Sequence, residues 1–299
     1  MTDCGIDSYR RNAMDEQQIL KKIDRIEEIP TLPTIVFELN KYLQDPDTSI
    51  RTVCETIEKD QAIALKILKL VNSAFYGFKS KISDLRNAIV LLGYNAVRNA
   101  IVSLSVINSF SKRVALMDFD ISQFWKHSLA VAVTSKNIAQ LSKEESPDNC
   151  FVGGLLHDIG KVILAQYFHD LFEKVWITLQ NEHLSFYEAE QKELPIDHTK
   201  IGAHLASKWQ LPGGLVEAIR WHHEFQPQSK NANFVRNIYL ANFIVNSYDY
   251  DSDLRLDLSK MHPEVVKFMM NMMEDVGDWY SGLSVEIEAA YGFFLETEG

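Results

Sequence analysis

The sequence predicts an all-α protein made of many helices. Apolar residues recur at helical spacing along the chain, and no alternating strand pattern appears from the N-terminus to Leu104. The length of 299 residues and the 46% hydrophobic content are ample for a core in one large or two ordinary domains. These observations favour packed layers of helices.

Charge and cysteine usage exclude several protein classes. A net charge of −11 disfavours binding of DNA or RNA through a basic face. Cys4, Cys54 and Cys150 are odd in number and lack a C-x-x-C spacing, which argues against a disulfide framework or zinc knuckle and fits a reducing compartment. Residues 1–11 lack the apolar core of a signal peptide, and charges such as Arg98 interrupt the long apolar runs. We therefore expect a cytoplasmic protein without a membrane contact.

The first elements are two short helices separated by prolines. Residues 15–29 carry isoleucines and a leucine at helical spacing, and the Pro30 to Pro33 segment ends this helix. A second amphipathic helix covers residues 35–43. It stops at Asp45-Pro46, because proline cannot continue the backbone hydrogen bonds.

Four further helical stretches are predicted before residue 110. Thr48 or Ser49 caps the first, and Asn72 to Gly77 ends the second at a turn. Ser83 opens the third, and Gly93 supplies its left-handed C-terminal cap. The apolar stripe of the first helix is Ile50, Val53, Cys54 and Ile57, and that of the second is Ile63, Ile67, Leu70, Val71 and Ala74. The stripe of the third is Leu85, Ala88, Ile89 and Leu92. The fourth helix follows Asn95 and carries Val97, Ile101 and Leu104.

A His157-Asp158 pair lies inside a strongly apolar stretch, residues 151–163. Burying a carboxylate costs several kcal/mol unless it is paired, hydrogen-bonded or bound to a metal. A neutral imidazole beside a carboxylate suits a divalent ion. The alternative for an isolated pair is a carboxylate that caps a helix beside a core histidine whose ring is satisfied.

Several motifs in order resemble the HDOD family. They are Ile29-Pro-Thr-Leu-Pro33, the stretch from Asp60 through Asn72-Ser-Ala-Phe-Tyr-Gly77 to Gly93, His157-Asp158-Ile-Gly-Lys161, His198-x-x-Ile-Gly-Ala203, Trp209-x-Leu-Pro212 and His222-His223. The family is similar to HD and HD-GYP metal-dependent phosphohydrolases, and many members have lost the metal ligands and serve bacterial signalling. The resemblance therefore implies a multi-helical fold and leaves the activity open.

The resemblance also implies a set of metal ligands. His127, His198 and His222 share helix faces with apolar residues, so their rings are expected to point inward. Imidazole ligands suit Fe, Mn, Zn or Ni better than Mg. One or two such ions are expected. The residues that match ligand positions of the HD and HD-GYP pattern are His127, His157, Asp158, His198, His222 and His223.

Two positions depart from the pattern of the active enzymes. Asn242 occupies the place of the final aspartate and is kept as a candidate ligand, and Gln123 occupies the place of a glutamate that completes the larger cluster in some HD-GYP enzymes. Two divalent ions held by neutral histidines and one carboxylate would carry a net charge of about +3, which requires hydroxide, phosphate or another anion. We expect weakened metal affinity and impaired chemistry.

The remaining histidines and the C-terminal region are predicted to be structural. His169, His183, His204 and His262 are expected at the surface or in caps. Residues 254–294 predict two or three more helices, one rich in methionine, which is typical of gap-filling core or of a pliable partner groove.

Two functions stay open at this point. The first is a signalling module that acts through a partner protein, with a metal pocket that senses a phosphate-containing ligand or is a relic. The second is a phosphohydrolase acting on nucleotides or cyclic dinucleotides, in which Asp158 positions the metals and Lys161 neutralises phosphoryl charge. The predicted organisation is a loose N-terminus at 1–14, an N-terminal helical bundle at 15–115, an HD-like helical domain at 116–245 and a helical C-terminal extension at 246–299.

Overall fold

The structure of the protein is a computed structural model that describes residues 14–45, 47–73, 75–78, 80–110, 119–249, 256–273 and 276–295. Within these ranges the chain forms α-helices and no β-strand, which confirms the all-α prediction. The helices are α1 Glu16–Arg25, α2 Thr34–Gln44, α3 Ile50–Glu58, α4 Gln61–Val71, α5 Leu85–Leu92, α6 Tyr94–Phe110, α7 Ile121–Ser142, α8 Pro147–Leu156, α9 Ile159–Tyr167, α10 His169–Glu182, α11 Phe186–Glu193, α12 His198–Lys208, α13 Gly213–Trp221, α14 Ala232–Asp249, α15 Pro263–Met272, α16 Val276–Gly282 and α17 Ser284–Phe294, with a 3-10 turn at Leu258–Lys260.

Side-chain caps begin most of these helices, since the first amides of a helix have no partner within it. Ser49, rather than Thr48, caps α3 by accepting from the amide of Thr52. The prediction that Ser83 opens α5 is wrong: Asp84 is the cap and accepts from the amide of Asn87. An ionised aspartate accepts hydrogen bonds more strongly than a serine hydroxyl does.

Two predicted helix ends also need correction. The first helix stops at Arg25 instead of Ile29, and the amide of Ile26 then bonds back to the carbonyls of Lys22 and Ile23. Gly93 has the predicted positive φ of 81°, but its ψ of 161° lies outside the left-handed helical region. The predicted loose N-terminus, except for its last residue, the stripe residue Ala74, Pro46 and the boundary at 115–116 lie outside the described residues.

The long helix α7 runs through the middle of the fold and packs on α8, α14 and α17. Helix α8 also contacts α6, α13 and α14, so it has protein on several sides. Helix α9 packs on α12, and α12 packs on α13. These contacts bring the ends of α8 and α13 and the starts of α9 and α12 to one place in the molecule.

No single helix of the described residues is long and apolar enough to cross a membrane. Helices α5 and α6 taken together are long and apolar enough, but they are bent by 109° where they join.

Candidate metal centre

The His157-Asp158 pair lies at the junction of α8 and α9. His157 follows the last residue of α8, and Asp158 stands at the N-cap position of α9 but makes no capping hydrogen bond with its side chain. Nε2 of His157 is buried and has no hydrogen-bond partner among the described residues. The interpretation of this pair as a capping carboxylate beside a satisfied core histidine is therefore wrong.

The two oxygens of Asp158 face different histidines. Oδ1 lies 3.1 Å from Nε2 of His198 and 3.3 Å from Nε2 of His222. Oδ2 lies 3.3 Å from Nε2 of His157, 3.7 Å from Nε2 of His127 and 2.6 Å from Nζ of Lys161. One carboxylate thus lies between two sets of nitrogen atoms.

Helix ends fix the ring orientation of two of these histidines. Nδ1 of His157 lies 2.6 Å from the carbonyl oxygen of Gly154, and Nδ1 of His222 lies 2.7 Å from that of Ile219. A carbonyl oxygen only accepts, so each Nδ1 carries the proton and donates it. In the neutral ring Nε2 then keeps a lone pair, and both lone pairs belong to atoms that lie beside Asp158.

Burial keeps three of the rings neutral. It lowers the pKa of His157, lowers that of His222 to about 3, and lowers that of His223 well below its ordinary value. For Asp158 burial acts against the charged form, but His157 and Lys161 outweigh it and hold the pKa well below its ordinary value. At neutral pH His157, His222 and His223 are therefore neutral imidazoles near the Asp158 carboxylate.

His198 differs because it has a carboxylate of its own. Nδ1 lies 2.5 Å from Oε2 of Glu190, and the backbone amide of His198 donates to Oε1 of Glu190 at 3.0 Å. Both side chains are fully buried. Burial lowers the pKa of His198, but the Glu190 carboxylate outweighs it and raises that pKa to about 9. Carboxylates that bind the outer nitrogen of a ligand histidine commonly orient it in metal sites.

Sequence reasoning missed Glu190. It lies on α11, a short helix whose sequence is mostly polar, and periodicity alone assigns such a helix to the surface. The spacing of eight residues before His198 carries no helical phase relation, because Leu194–Asp197 separate α11 from α12. A buried carboxylate here could be recognised only from the packing of the two helices.

The other predicted residues lie in or beside the same pocket. His223 stacks on Tyr187 with 4.3 Å between ring centroids, and its buried Nε2 has no hydrogen-bond partner within the described ranges. Asn242 is buried, and its Oδ1 accepts from Asn246 at 2.8 Å, so its amide is engaged by a neighbour on α14. Gln123 lies in the wall of the same cleft, one turn before His127 on α7.

The pocket opens into a cleft of about 1180 Å³. Lys126, Lys161 and Lys260 line the cleft together with aromatic side chains, among them Trp176, Phe186 and Phe243. A cleft of this size can admit a small molecule as far as Asp158.

The donor atoms fit a divalent metal. Asp158, His198, His222 and His223 form one group of possible ligands, and His127, His157 and Asp158 form another, with the ligand atoms of each group within 4.8 Å of one another. Asp158 belongs to both groups, as a carboxylate shared by two ions would. Buried imidazole nitrogens without partners are otherwise costly, and coordination of an ion would satisfy them.

The four other histidines have the structural roles that the sequence predicts. His204 pairs with Asp24 at 2.8 Å, and His262 caps α15 by accepting from the amide of Glu264. His169 is the first residue of α10, and His183 ends it with a positive φ of 54°.

Comparison with known proteins identifies a domain and a fold. The HDOD domain model matches residues 29–225. A solved HDOD domain protein of unknown function from Geobacter sulfurreducens is 27% identical, with a TM-score of 0.74 and coverage of 92% of this chain and 96% of that one. A candidate phosphohydrolase from Shewanella amazonensis is 18% identical, with a TM-score of 0.70 and coverage of 91% and 97%. These likenesses show a shared helical fold.

The curated relatives are much longer than the region that they share with this chain. An uncharacterised protein of Treponema pallidum is 25% identical over 201 residues, which are 67% of this chain and 38% of that protein. The uncharacterised YuxH protein of Bacillus subtilis is 36% identical over 69 residues, 23% of this chain and 17% of that protein. The chain therefore spans well under half the length of these curated relatives.

Proposed function

The chain belongs to the HDOD family, and from this premise we propose that it is a bacterial signalling or regulatory module with a partly retained HD-type metal pocket and weak or absent hydrolase activity. The observation that carries the proposal is the position of Asp158. It is the shared carboxylate of both ligand groups and the sole carboxylate in either, within the part of the chain that the structure describes.

Charge explains why such a site would bind metal weakly. Each divalent ion adds two positive charges, and Asp158 supplies one negative charge that already contacts the Lys161 ammonium at 2.6 Å. The Asn242 amide contributes a dipole instead of a second charge. Imidazoles are neutral when they coordinate, and Asp158 and the Glu190 carboxylate behind His198 supply the negative charge, so most of the charge of two ions stays uncompensated in a buried pocket, which lowers the affinity.

The residues that would hold an ion are those of the two groups. His198, His222, His223 and Asp158 would hold one, and His127, His157 and Asp158 would hold a second. A divalent ion in an HD-type site supplies a lower pKa for a coordinated water and polarisation of a phosphoryl oxygen. Imidazole donors favour Fe, Mn, Zn or Ni over Mg.

Elemental analysis beside a phosphodiesterase assay tests this function. For the native chain we expect substoichiometric metal and little or no turnover of cyclic dinucleotides or simple phosphate esters. Asn242→Asp should raise the metal content, because it restores a charge beside the pocket. Asp158→Ala should lower the metal affinity by more than the ~10 to 100-fold that is typical of changes behind the ligands.

A matched control separates the ligand position from charge in general. Gln180→Glu adds a carboxylate to the cleft wall on α10, outside both ligand groups, and should leave the metal content near that of the native chain. If none of the four proteins contains metal, the metal site is a relic and only the signalling-module function remains.

The alternative is a metal-dependent phosphohydrolase. The specific observation in its favour is the large cleft that reaches Asp158 and Lys161, since Lys161 could neutralise charge on a phosphoryl group. Strong turnover by the native chain that disappears in Asp158→Ala would establish this alternative in place of the regulatory module.

A further inference from the structure

The N-terminal helices carry a surface that the metal pocket does not use. Eight large apolar side chains are exposed in the described residues, and Leu65, Phe78, Val90 and Leu91 are four of them. All four lie on α4, on α5 or in the loop between these helices, so half of the exposed apolar side chains fall within 27 consecutive residues, 65–91. Scattered single exposures need no explanation, but a concentration of exposed apolar side chains on neighbouring helices makes this region a candidate contact surface.

The exposed residues adjoin a small separate core. Val71, Ile82 and Ala88 form an apolar cluster apart from the main core, and Leu68 and Leu92 pack against it while half-buried. Leu65 lies one turn before Leu68 on α4, and Leu91 precedes Leu92 on α5. We call Leu65, Leu68, Leu91 and Leu92, together with Lys69 on α4 and Lys81 next to the cluster residue Ile82, the α4–α5 surface. The two helices contact each other, and Leu68 and Leu92 pack on the cluster in the seam between them.

The same part of the chain is basic although the protein is acidic. Residues 61–98 contain six basic residues and one acidic residue, a net charge of +5, against −11 for the whole chain. Lys69 and Lys81 are exposed, and neither forms an ion pair with any described residue. The lysines beside the leucines therefore complement negative charge that the partner would bring.

We propose that the α4–α5 surface binds an acidic amphipathic helix of a partner protein. A helix whose leucines follow one face could lay that face along the seam, and its glutamates or aspartates would meet Lys69 and Lys81. An anionic bilayer is the less favoured occupant, because the rest of the chain is strongly acidic and is repelled by anionic lipids. This inference rests on the proposed regulatory function, since it supplies the contact through which such a module would act.

Fluorescence anisotropy with a labelled synthetic peptide tests the proposal. The probe is an acidic peptide of about 18 residues with leucines at i, i+3, i+4 and i+7 and glutamates elsewhere. The full chain should bind it, a scrambled peptide of the same composition should bind at least about tenfold more weakly, and added salt should weaken binding. Leu65→Ser, Leu91→Ser and the pair Lys69→Glu with Lys81→Glu should each lower the affinity by about tenfold or more.

Exposed residues elsewhere provide the controls. Leu141→Ser and Lys174→Glu make the same changes on α7 and α10 and should leave peptide binding unchanged. Circular dichroism of every variant establishes that the fold is kept, which is expected because Leu65 and Leu91 are more than half exposed, at 54% and 53%.

Three outcomes would overturn the proposal. They are equal binding of the scrambled peptide, preferential binding of phosphatidylglycerol vesicles that Leu91→Ser abolishes, and self-association in light scattering that Leu91→Ser abolishes. None of these measurements depends on metal or turnover. A failed peptide test would therefore leave the proposed function standing. Strong phosphohydrolase activity beside normal peptide binding would instead overturn the proposed function and leave the α4–α5 surface as a binding site.

Discussion

His198 contacts a carboxylate with each of its ring nitrogens. Nδ1 faces Glu190 at 2.5 Å, and Nε2 faces Asp158 at 3.1 Å and Nε2 of His222 at 3.1 Å. His222 donates its own proton to the carbonyl of Ile219, so its Nε2 can accept from His198. In the metal-free protein His198 is therefore a buried imidazolium that donates in both directions, consistent with its pKa of about 9.

This arrangement predicts that metal binding releases a proton from His198. Coordination needs a free lone pair on Nε2, so at pH 7.5 about one proton should leave when an ion binds to the group that contains His198. Calorimetric titration in buffers of different ionisation enthalpy measures that number. The release should disappear as the pH rises past about 9, because His198 is then already neutral in the metal-free chain.

Glu190→Gln tests the origin of the raised pKa. Loss of the carboxylate should lower the pKa of His198, so the proton release at pH 7.5 should fall well below that of the native chain. Glu193→Gln is the control, since Glu193 lies on the same helix and bonds to Thr178 instead of a ligand. An unchanged proton count in Glu190→Gln would show that Glu190 only supports packing.

Single residues also show how far the sequence can predict this site. The inward direction of His127, His198 and His222 followed from their phase with apolar neighbours on their helices. Glu190 and the engagement of Asn242 by Asn246 did not follow, because each depends on which residue a neighbouring turn or helix presents. Sequence periodicity describes one helix at a time, and these contacts arise only when helices pack or when side chains choose partners.

At the scale of the elements, two glycines let α9 and α12 approach closely. A Cβ added at Gly160 would lie 2.0 Å from the carbonyl oxygen of His198, and one at Gly202 would lie 3.3 Å from the amide nitrogen of Gly160. Helix α9 begins directly after Asp158, and α12 begins with His198. The absence of side chains at these positions thus allows the 3.1 Å approach of His198 to Asp158.

Gly160→Ala should therefore destabilise the protein and weaken metal binding together. The added methyl group must push α12 away from α9, which should lower the free energy of unfolding by about 1 to 3 kcal/mol or more. Denaturant unfolding and metal titration measure the two effects. Gly213→Ala is the control, because a Cβ there meets no atom within 4 Å and should stabilise by about 0.4 to 1 kcal/mol. Equal stability of the two variants would contradict the close-packing argument.

Helix ends were the least predictable part of the elements. Most helices lie close to where the apolar stripes place them, but the helix predicted for 15–29 ends at Arg25. Ile29 is nevertheless buried, so the apolar stripe continues into the non-helical segment that follows. An apolar residue can reach the core from extended backbone as well as from a helix, and spacing alone does not distinguish the two.

At the scale of the whole molecule, one aromatic junction joins three regions of the chain. The ring centroid of Phe75, in the connection between α4 and α5, lies 5.1 Å from that of Phe151. The centroid of Phe294 on α17 lies 5.7 Å from that of Phe151 and 6.3 Å from that of Phe75. Phe151 lies on α8, which leads directly to His157 and Asp158. Lys136 on α7 places its ammonium 4.1 Å from the centroid of Phe75, a cation–π contact at the same junction.

The N-terminal region also contacts α12 and the residue that follows it. Trp209 donates its Nε1 hydrogen to the carbonyl of Pro30 at 3.1 Å, and Lys200 pairs with Glu16 at 2.8 Å. The main hydrophobic cluster of the described residues runs without a break from Ile19 on α1 to Phe294 on α17. The division at residues 115 and 245 stays a prediction, but this shared core argues that the parts unfold together.

Metal binding should accordingly stabilise the whole chain and not the pocket alone. Mn²⁺ at about 100 times its dissociation constant should raise the free energy of global unfolding by about 2.7 kcal/mol, which slows globally exchanging amides about 100-fold. Hydrogen exchange read by mass spectrometry should show this slowing equally in the slowest amides of α6, α8 and α17. In Asp158→Ala the slowing should vanish from all three helices. Slowing in α8 without slowing in α6 would instead mean that the N-terminal helices unfold as a separate unit, because a bound ion protects only the segments that open together with its ligands.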